Sequence, residues 1–301
     1  MTTEASDAPS HDLDAVRAHL TATDAELLVY IDESHLSYLP IYLGRADARH
    51  LLGEPPEAVL RELWLASKCY AVHGDVYLAK WPAHQFRRRR LAPLELALAV
   101  ADKPVLEAAN KHFAIDVMTL LAGAEADGVT EEVGALTGFF KTGQIADLPD
   151  LTGFLAVTYW LSLSAVATAD LEGLHMVRAL VARMLEQNQW LARKRVGGLG
   201  RMLAAHQVFG ELFPAVPAAL VDALAEHGRL FGEASRARLA DDEAARKTGE
   251  GTLDTTTLAL LSVIAAAGVD LGPHLAARRD EPDLREAVSF ASLLGHTLPP
   301  V

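Results

Sequence analysis

Cysteine is all but missing from this 301-residue chain, since Cys69 is the only one. That excludes an intrachain disulfide framework and a cysteine-clustered zinc site, and it suits a reducing cytoplasm. Aromatic residues make up only 6%. Strand-like patterns are confined to Leu27–Ile31 and Leu39–Leu43, enough for a small hairpin with no sheet to join. The start lacks the basic and apolar regions of a secretory signal. Residues 1–10 hold no apolar run and read as a disordered N-terminus. Long uncharged runs are scarce too. The one from Leu151 to Ala169 has 19 residues, just a bilayer's span. It carries hydroxyls at Thr152, Thr158, Ser162, Ser164 and Thr168, and Asp150 and Asp170 flank it with no basic anchor. It therefore reads as a buried helix with Tyr159 and Trp160 in the core, and no membrane association is expected.

What the chain has in quantity is helical punctuation around apolar stripes. Half of its residues are hydrophobic, enough to bury a sizeable core. Asp12 suits the cap of a first helix ending near Leu20, and Thr23 or Asp24 the cap of a second. Pro55 and Pro56 open a helix with Val59, Leu60, Leu63 and Trp64 at apolar spacing, and Gly74 suits its end. One phrase is written twice: Leu96-Ala-Leu-Ala-Val-Ala-Asp102 and Ser164-Ala-Val-Ala-Thr-Ala-Asp170 each precede a second helix. The two Asp residues lie 68 positions apart, about twice the 34-residue period of one class of paired-helix repeats. Beyond the second copy, Leu174, Val177, Val181 and Met184 form an apolar stripe. Gly197-Gly-Leu-Gly200 reads as a helix break. Pro217 starts a helix with Leu220, Leu224, His227 and Phe231 along one side, Asp241–Gly251 reads as a loop or a mobile helix end, and Thr255–Ala267 is an Ala/Leu helix closed by Gly268. The expected fold is all-α, stacked helical hairpins in a solenoid-like or bundle array with little or no β. Turn residues cluster at Gly134–Pro149. They divide an N-terminal half, 11–135, from a C-terminal half, 150–301, unless the two form one continuous domain.

Catalytic and cofactor motifs are sparse. Glu172-Gly-Leu-His175 has the Glu-x-x-His form of helical di-iron ligands, because residues three apart share a helix face. Asp32–His35 and Asp47–His50 repeat it with aspartate. A single true copy with Gly173 inside it fits ordinary surface residues better, so no metal ligands and no cofactor are assigned. No His-Glu-x-x-His, P-loop or Gly-x-Ser-x-Gly pattern occurs. Arg87–Arg90 splay around a helix instead of forming one basic face, so nucleic acid is not an expected partner.

The net charge of −13 is laid out in blocks. Residues 1–60 carry −8 and 102–186 carry −7, against +4 for 61–101 and +3 for 187–239. Such a chain favours basic partners.

Three stretches carry a family resemblance: Tyr159–Leu174, in which an aromatic-rich apolar helix meets an acidic turn, Ala219–His227, and the Ala/Leu helix Leu258–Gly268. Together they resemble the all-helical immunity proteins of bacterial polymorphic toxin systems, most closely the family called immunity protein 49. The resemblance implies a non-enzymatic cytoplasmic protein that binds and neutralises a cognate, basic toxin. Glu131, Glu132, Asp147 and Asp150 are then the expected partner-binding carboxylates. The alternatives are a helical-repeat scaffold or regulator that holds a protein or peptide, and a helical metalloenzyme using Glu172 and His175. The oligomeric state is left open.

Overall fold

The computed structural model describes residues 10–29, 38–77, 95–104, 106, 151–167, 169–190 and 197–299. Among them the chain is all-α, and the only β feature is an isolated bridge between Leu212 and Ala215. The suggested hairpin does not form, because residues 27–29 continue helix α1, Leu13–Val29, and 39–43 belong to α2, Tyr38–Leu51. Asp12 caps α1, its Oδ1 accepting the Ala15 amide at 3.0 Å. The expected break at Thr23 is absent for a physical reason. The Thr23 hydroxyl donates to the Leu20 carbonyl within the helix, and Arg45 claims both the Thr23 oxygen and the Asp24 carboxylate, so neither side chain is left to cap a new helix.

Helix α3, Pro56–Tyr77, opens at the two prolines and runs on past Gly74. Val59, Leu63 and Ala66 are buried, but Trp64 is 40% exposed on another face, where its indole N–H donates to Asp102. The uncharged segment forms α4, Leu151–Ala167. Thr158 and Ser162 are buried on it, and their hydroxyls are satisfied by the helix's own carbonyls at Leu155 and Thr158. Among the described residues no helix is long and apolar enough to cross a membrane.

Both copies of the doubled phrase end in the same joint. Ala101 and Ala169 have φ of 50° and 57°, the only positive values at non-glycine residues among those described. At each joint the alanine amide bonds back three residues and the aspartate amide bonds back five, to Leu98 and Ala97 in one copy and to Val166 and Ala165 in the other. That pair of bonds is a Schellman closure. Asp170 then caps α5, Leu171–Gln187, by accepting the Gly173 amide at 2.9 Å. The stripe is buried, with Val177, Val181 and Met184 packing on Leu155 and Leu174 joining the main core.

The glycine run is not a break. Gly197–Gly200 forms the first turn of α6, Gly197–Glu211, with Gly200 buried. Helix α7, Pro217–Asp241, follows. The charged stretch after it is ordered: Asp242 ends α7 and caps the short α8, Glu243–Thr248, by accepting the Ala245 amide. Helix α9, Thr255–Ala266, is capped by Asp254, and α10, Gly272–Ala277, follows it. A 3-10 turn at Pro282–Leu284, α11 at Arg285–Phe290 and a second 3-10 turn at Ala291–Leu294 complete the described chain.

Sequence neighbours α2 and α3, α4 and α5, and α6 and α7 pack as hairpins, while α9 touches α4, α6, α7 and α11. Thr256 to Ile264 of α9 are all buried. The hairpins therefore gather around one apolar helix. Its lack of a polar face leaves it stable only when covered on every side. One hydrophobic core runs from Val59 and Leu63 through Tyr159 and Leu163 to Leu258, Phe290 and Leu294. It joins residues from both sides of the proposed boundary, whose turn segment 134–149 lies outside the described residues. The first helix also rests on α8, with the Asp12 amide donating to the Arg246 carbonyl at 3.1 Å.

Candidate functional site: a polar cavity between early and late helices

The cap of α9 is the centre of a buried polar chain. Asp254 is 2% exposed, and its carboxylate accepts the Thr257 amide and hydroxyl at 3.3 and 2.9 Å. From α7, fully buried His227 brings Nε2 to 3.1 Å of Asp254 Oδ2 and Nδ1 to 3.1 Å of the Arg201 carbonyl. An ionised Asp254 and the Arg201 carbonyl both accept, an arrangement that favours the doubly protonated His227 ring. Burial opposes that charge, but the adjacent carboxylate outweighs it. His227 is lifted above the ordinary histidine value, and Asp254, despite the same burial, is held below the usual carboxylate value.

From this pair the chain continues outward. The Asp254 amide donates to Glu286 Oε2 at 2.8 Å, and Glu286 Oε1 faces His50 Nε2 at 3.3 Å. Burial pushes the Glu286 carboxyl up, with the Asp254 charge adding to it and His50 opposing. His50 lies against Phe290, ring centroids 6.1 Å apart. These groups line a cavity of about 600 Å³ between the α2–α3 junction, α7 and α11. Close to the same pair, the Tyr159 hydroxyl approaches Glu95 at 3.5 Å, and both groups feel the Asp254 charge. Burial raises both groups, each of which also bonds Thr256.

Two further ionic sets tie elements together. Glu62 is buried and accepts from Arg45 at 3.0 Å and Arg49 at 2.7 Å. Arg45, equally buried, reaches Asp24 at 2.7 Å as well, joining α1, α2 and α3. Asp47 on α2 accepts three amides, from Gly251 at 3.0 Å, Thr252 at 3.1 Å and Leu253 at 2.8 Å, which fastens the turn before α9. Burial lifts its carboxyl to about 6 against the pull of those amides.

A second, mostly apolar groove of about 700 Å³ lies between α5 and α6, walled by Val181, Leu185, Leu203 and Phe213. His206 lines it, and burial depresses its pKa to about 4 while Nε2 lies 2.9 Å from the Leu155 carbonyl.

The carboxylates expected at a partner surface, Glu131, Glu132, Asp147 and Asp150, lie outside the described residues, as do Asp32, His35 and Arg87–Arg90. Glu172 and His175 are both exposed on α5. Asp47 and His50 share α2 but serve different partners, the loop amides and Glu286. Among the described residues no three His, Cys, Asp or Glu side chains converge as metal ligands. Cys69 is buried, which pushes its thiol up to about 11.

Sequence reasoning missed Asp254, Glu286 and the pairing of His227. One signal was readable. His227 sits on the apolar stripe of α7, and a histidine there needs a buried acceptor.

The fold and site define an all-α protein of helical hairpins closed around a central helix, cross-linked by buried ion pairs. No family model, no curated protein and no solved structure matches the chain.

Proposed function

We propose that this chain is a non-enzymatic immunity protein that binds and neutralises a basic bacterial toxin. The observation that carries the reading is the way arginines are held. Arg45 lies between Asp24 and Glu62, Arg49 between Glu54 and Glu62, Arg229 between Glu226 and Glu233, Arg238 between Asp242 and Glu250, and Arg278 between Asp222 and Glu281. These five arginines share nine carboxylates, so at these positions the positive charge is compensated locally and acid is in surplus. Exposed pairs of this kind add little stability. A net −13 field instead accelerates encounter with a basic surface and repels nucleic acid. The three stretches that carry the family resemblance lie on α4, α7 and α9, and α9 packs against each of the other two.

The test is to look for a gene for a toxic domain beside this one and to co-express that domain with this protein. Protected cells, and an association rate that falls on the order of tenfold from low to high salt, support the reading. Killing of cells that make this protein ends it. A second reading, a scaffold that holds a peptide, is favoured by the apolar groove between α5 and α6. It requires that Leu185→Glu abolish partner binding while leaving the salt dependence of association unchanged.

A further inference from the structure

Helices α5 and α6 each pack on α4, and the groove of about 700 Å³ opens between them. Val181, Leu185, Leu203 and Phe213 give it apolar walls, and the alanines at 179, 182 and 204 are too short to fill it. One end is strapped. Arg178, from α5, donates Nη1 to the Phe213 carbonyl at 3.1 Å and Nη2 to the Gly210 carbonyl at 2.9 Å, so both nitrogens are taken up where α6 ends. The other charged lining group, Glu226, accepts from Arg229 through both carboxylate oxygens at 2.8 and 3.0 Å. His175 and Gln207 also line the groove but are exposed, where water satisfies them.

His206 is the exception among these polar groups. It is buried, and its Nε2 lies 2.9 Å from the Leu155 carbonyl and 3.1 Å from the Thr158 hydroxyl. The carbonyl only accepts, and Thr158 already donates to that same carbonyl at 3.2 Å. This arrangement puts the ring proton on Nε2. Burial keeps the ring neutral by pushing its pKa down to about 4, so Nδ1 is a bare acceptor. Nδ1 has no partner among the described residues and is not sealed from solvent. The space that His206 lines is the groove.

We infer that this groove binds a neutral, largely apolar small molecule through a single hydroxyl, which donates to His206 Nδ1. Its volume and its apolar walls around one convergent polar atom are those of a small-ligand site. The ligand is neutral because Arg178 and Glu226 already have their partners, and a further charge among apolar walls would have none. It carries a donor because a purely apolar molecule would strip water from Nδ1 and return nothing. A peptide laid along the groove would run into the Arg178 strap, and the site is separate from the acidic surface proposed for a toxin.

Titration calorimetry of the full-length protein with para-ethylphenol and its isomer para-methylanisole tests it, since the second has the same atoms but no hydroxyl. One para-ethylphenol is expected to bind per chain, with para-methylanisole weaker by about tenfold or more, the loss of one hydrogen bond to a desolvated acceptor. His206→Phe keeps a ring and removes the acceptor, so the two isomers become equal. Ala179→Phe with Ala182→Phe, both at exposed positions, fills the groove and weakens both isomers by a similar factor. Should His206→Phe fail to fold, the nitrogen resonance of His206 Nδ1 in the wild-type protein takes its place, and para-ethylphenol but not para-methylanisole should move it. No binding of para-ethylphenol by wild-type protein or equal affinities for the isomers overturns the inference. So does a preference that survives His206→Phe, an unmoved Nδ1 resonance, or undiminished binding once the groove is filled.

Discussion

Ala101 and Ala169 close helices in a conformation that suits glycine, and the same closure occurs twice elsewhere with glycine in place. At Gly53 the amide bonds back to His50 and the Glu54 amide to Arg49. At Gly268 the amide bonds back to Ala265 and the Val269 amide to Ile264. The four joints thus share one hydrogen-bond pattern and one sign of φ, at 72° and 80° for the glycines against 50° and 57° for the alanines. An L-residue in the left-handed region costs about 1–2 kcal/mol, while glycine costs about 0.5–1 kcal/mol through the entropy of the unfolded chain. Ala101→Gly and Ala169→Gly are therefore expected to stabilise, each by about 0.5–1 kcal/mol.

Packing does not cloud the comparison. Both alanines are exposed, and a Cβ added at Gly53 or Gly268 would meet nothing within 4 Å. Gly53→Ala and Gly268→Ala should therefore destabilise by about 1 kcal/mol from backbone strain alone. In a chain of this size 1 kcal/mol moves Tm by only about 2 °C, so urea denaturation with a shared slope is the better assay. The reasoning is refuted if the alanine-to-glycine pair lowers the midpoint, or if the glycine-to-alanine pair leaves it unmoved. Ala169→Val adds a control, since a β-branched residue at this φ should cost more than alanine does.

Two buried groups should tilt stability in opposite directions between about pH 4 and 6.5. His206 has its folded pKa depressed to about 4 by burial. Its contribution is present above the unfolded histidine value and is lost as pH falls, by up to about 3 kcal/mol. Asp47 has its folded pKa raised to about 6 by burial, so its contribution is present at low pH and lost as pH rises through 6. Wild type should show a shallow profile, His206→Gln a gain on acidification and Asp47→Asn a loss. Parallel profiles by chemical denaturation contradict both assignments. Glu62→Gln leaves Arg45 and Arg49 facing each other across a buried position and should cost about 3–5 kcal/mol, whereas Arg45→Met with Glu62→Met should cost far less. Equal losses would show that the pair acts through packing only. Gly228→Ala should cost about 2 kcal/mol or more, because its Cβ collides with the Asp283 carbonyl. Unchanged unfolding would mean that Gly228 and Asp283 do not pack so closely.

Much of the helical order was legible, and the reasons for the exceptions are local. Pro56, Pro217, Asp12 and Gly268 sit where capping chemistry puts them. Thr23 and Asp24 misled because Arg45, from another helix, takes the groups that would have capped. Trp64 fell on the apolar spacing of α3 yet faces outward, since Asp102 offers its indole N–H a partner there. Asp241–Gly251 was too charged to read as structure, but those charges are what cap α8, and Asp47 gathers the amides that follow. The cavity was illegible because its parts come from opposite ends of the chain. His50 and Glu286 follow no spacing rule, and only the tertiary fold sets them 3.3 Å apart.

The buried charges answer a problem that this composition creates. A helix such as α9, apolar on every side, gains nearly the same burial in many rotations and registers against its neighbours, so hydrophobic packing alone separates those arrangements weakly. The ionic contacts are not interchangeable in that way. His227 must find Asp254, Asp47 must find three amides of one turn, and Glu62 must find two arginines, or each leaves an uncompensated charge in the interior. The Asp47 contacts join segments 204 or more residues apart, while the other two tie helices closer in the chain. If these contacts fix register, the Arg45→Met, Glu62→Met protein should retain its helical content while its amide resonances broaden or multiply. A single sharp set of resonances in that protein would place the specificity in the apolar packing instead.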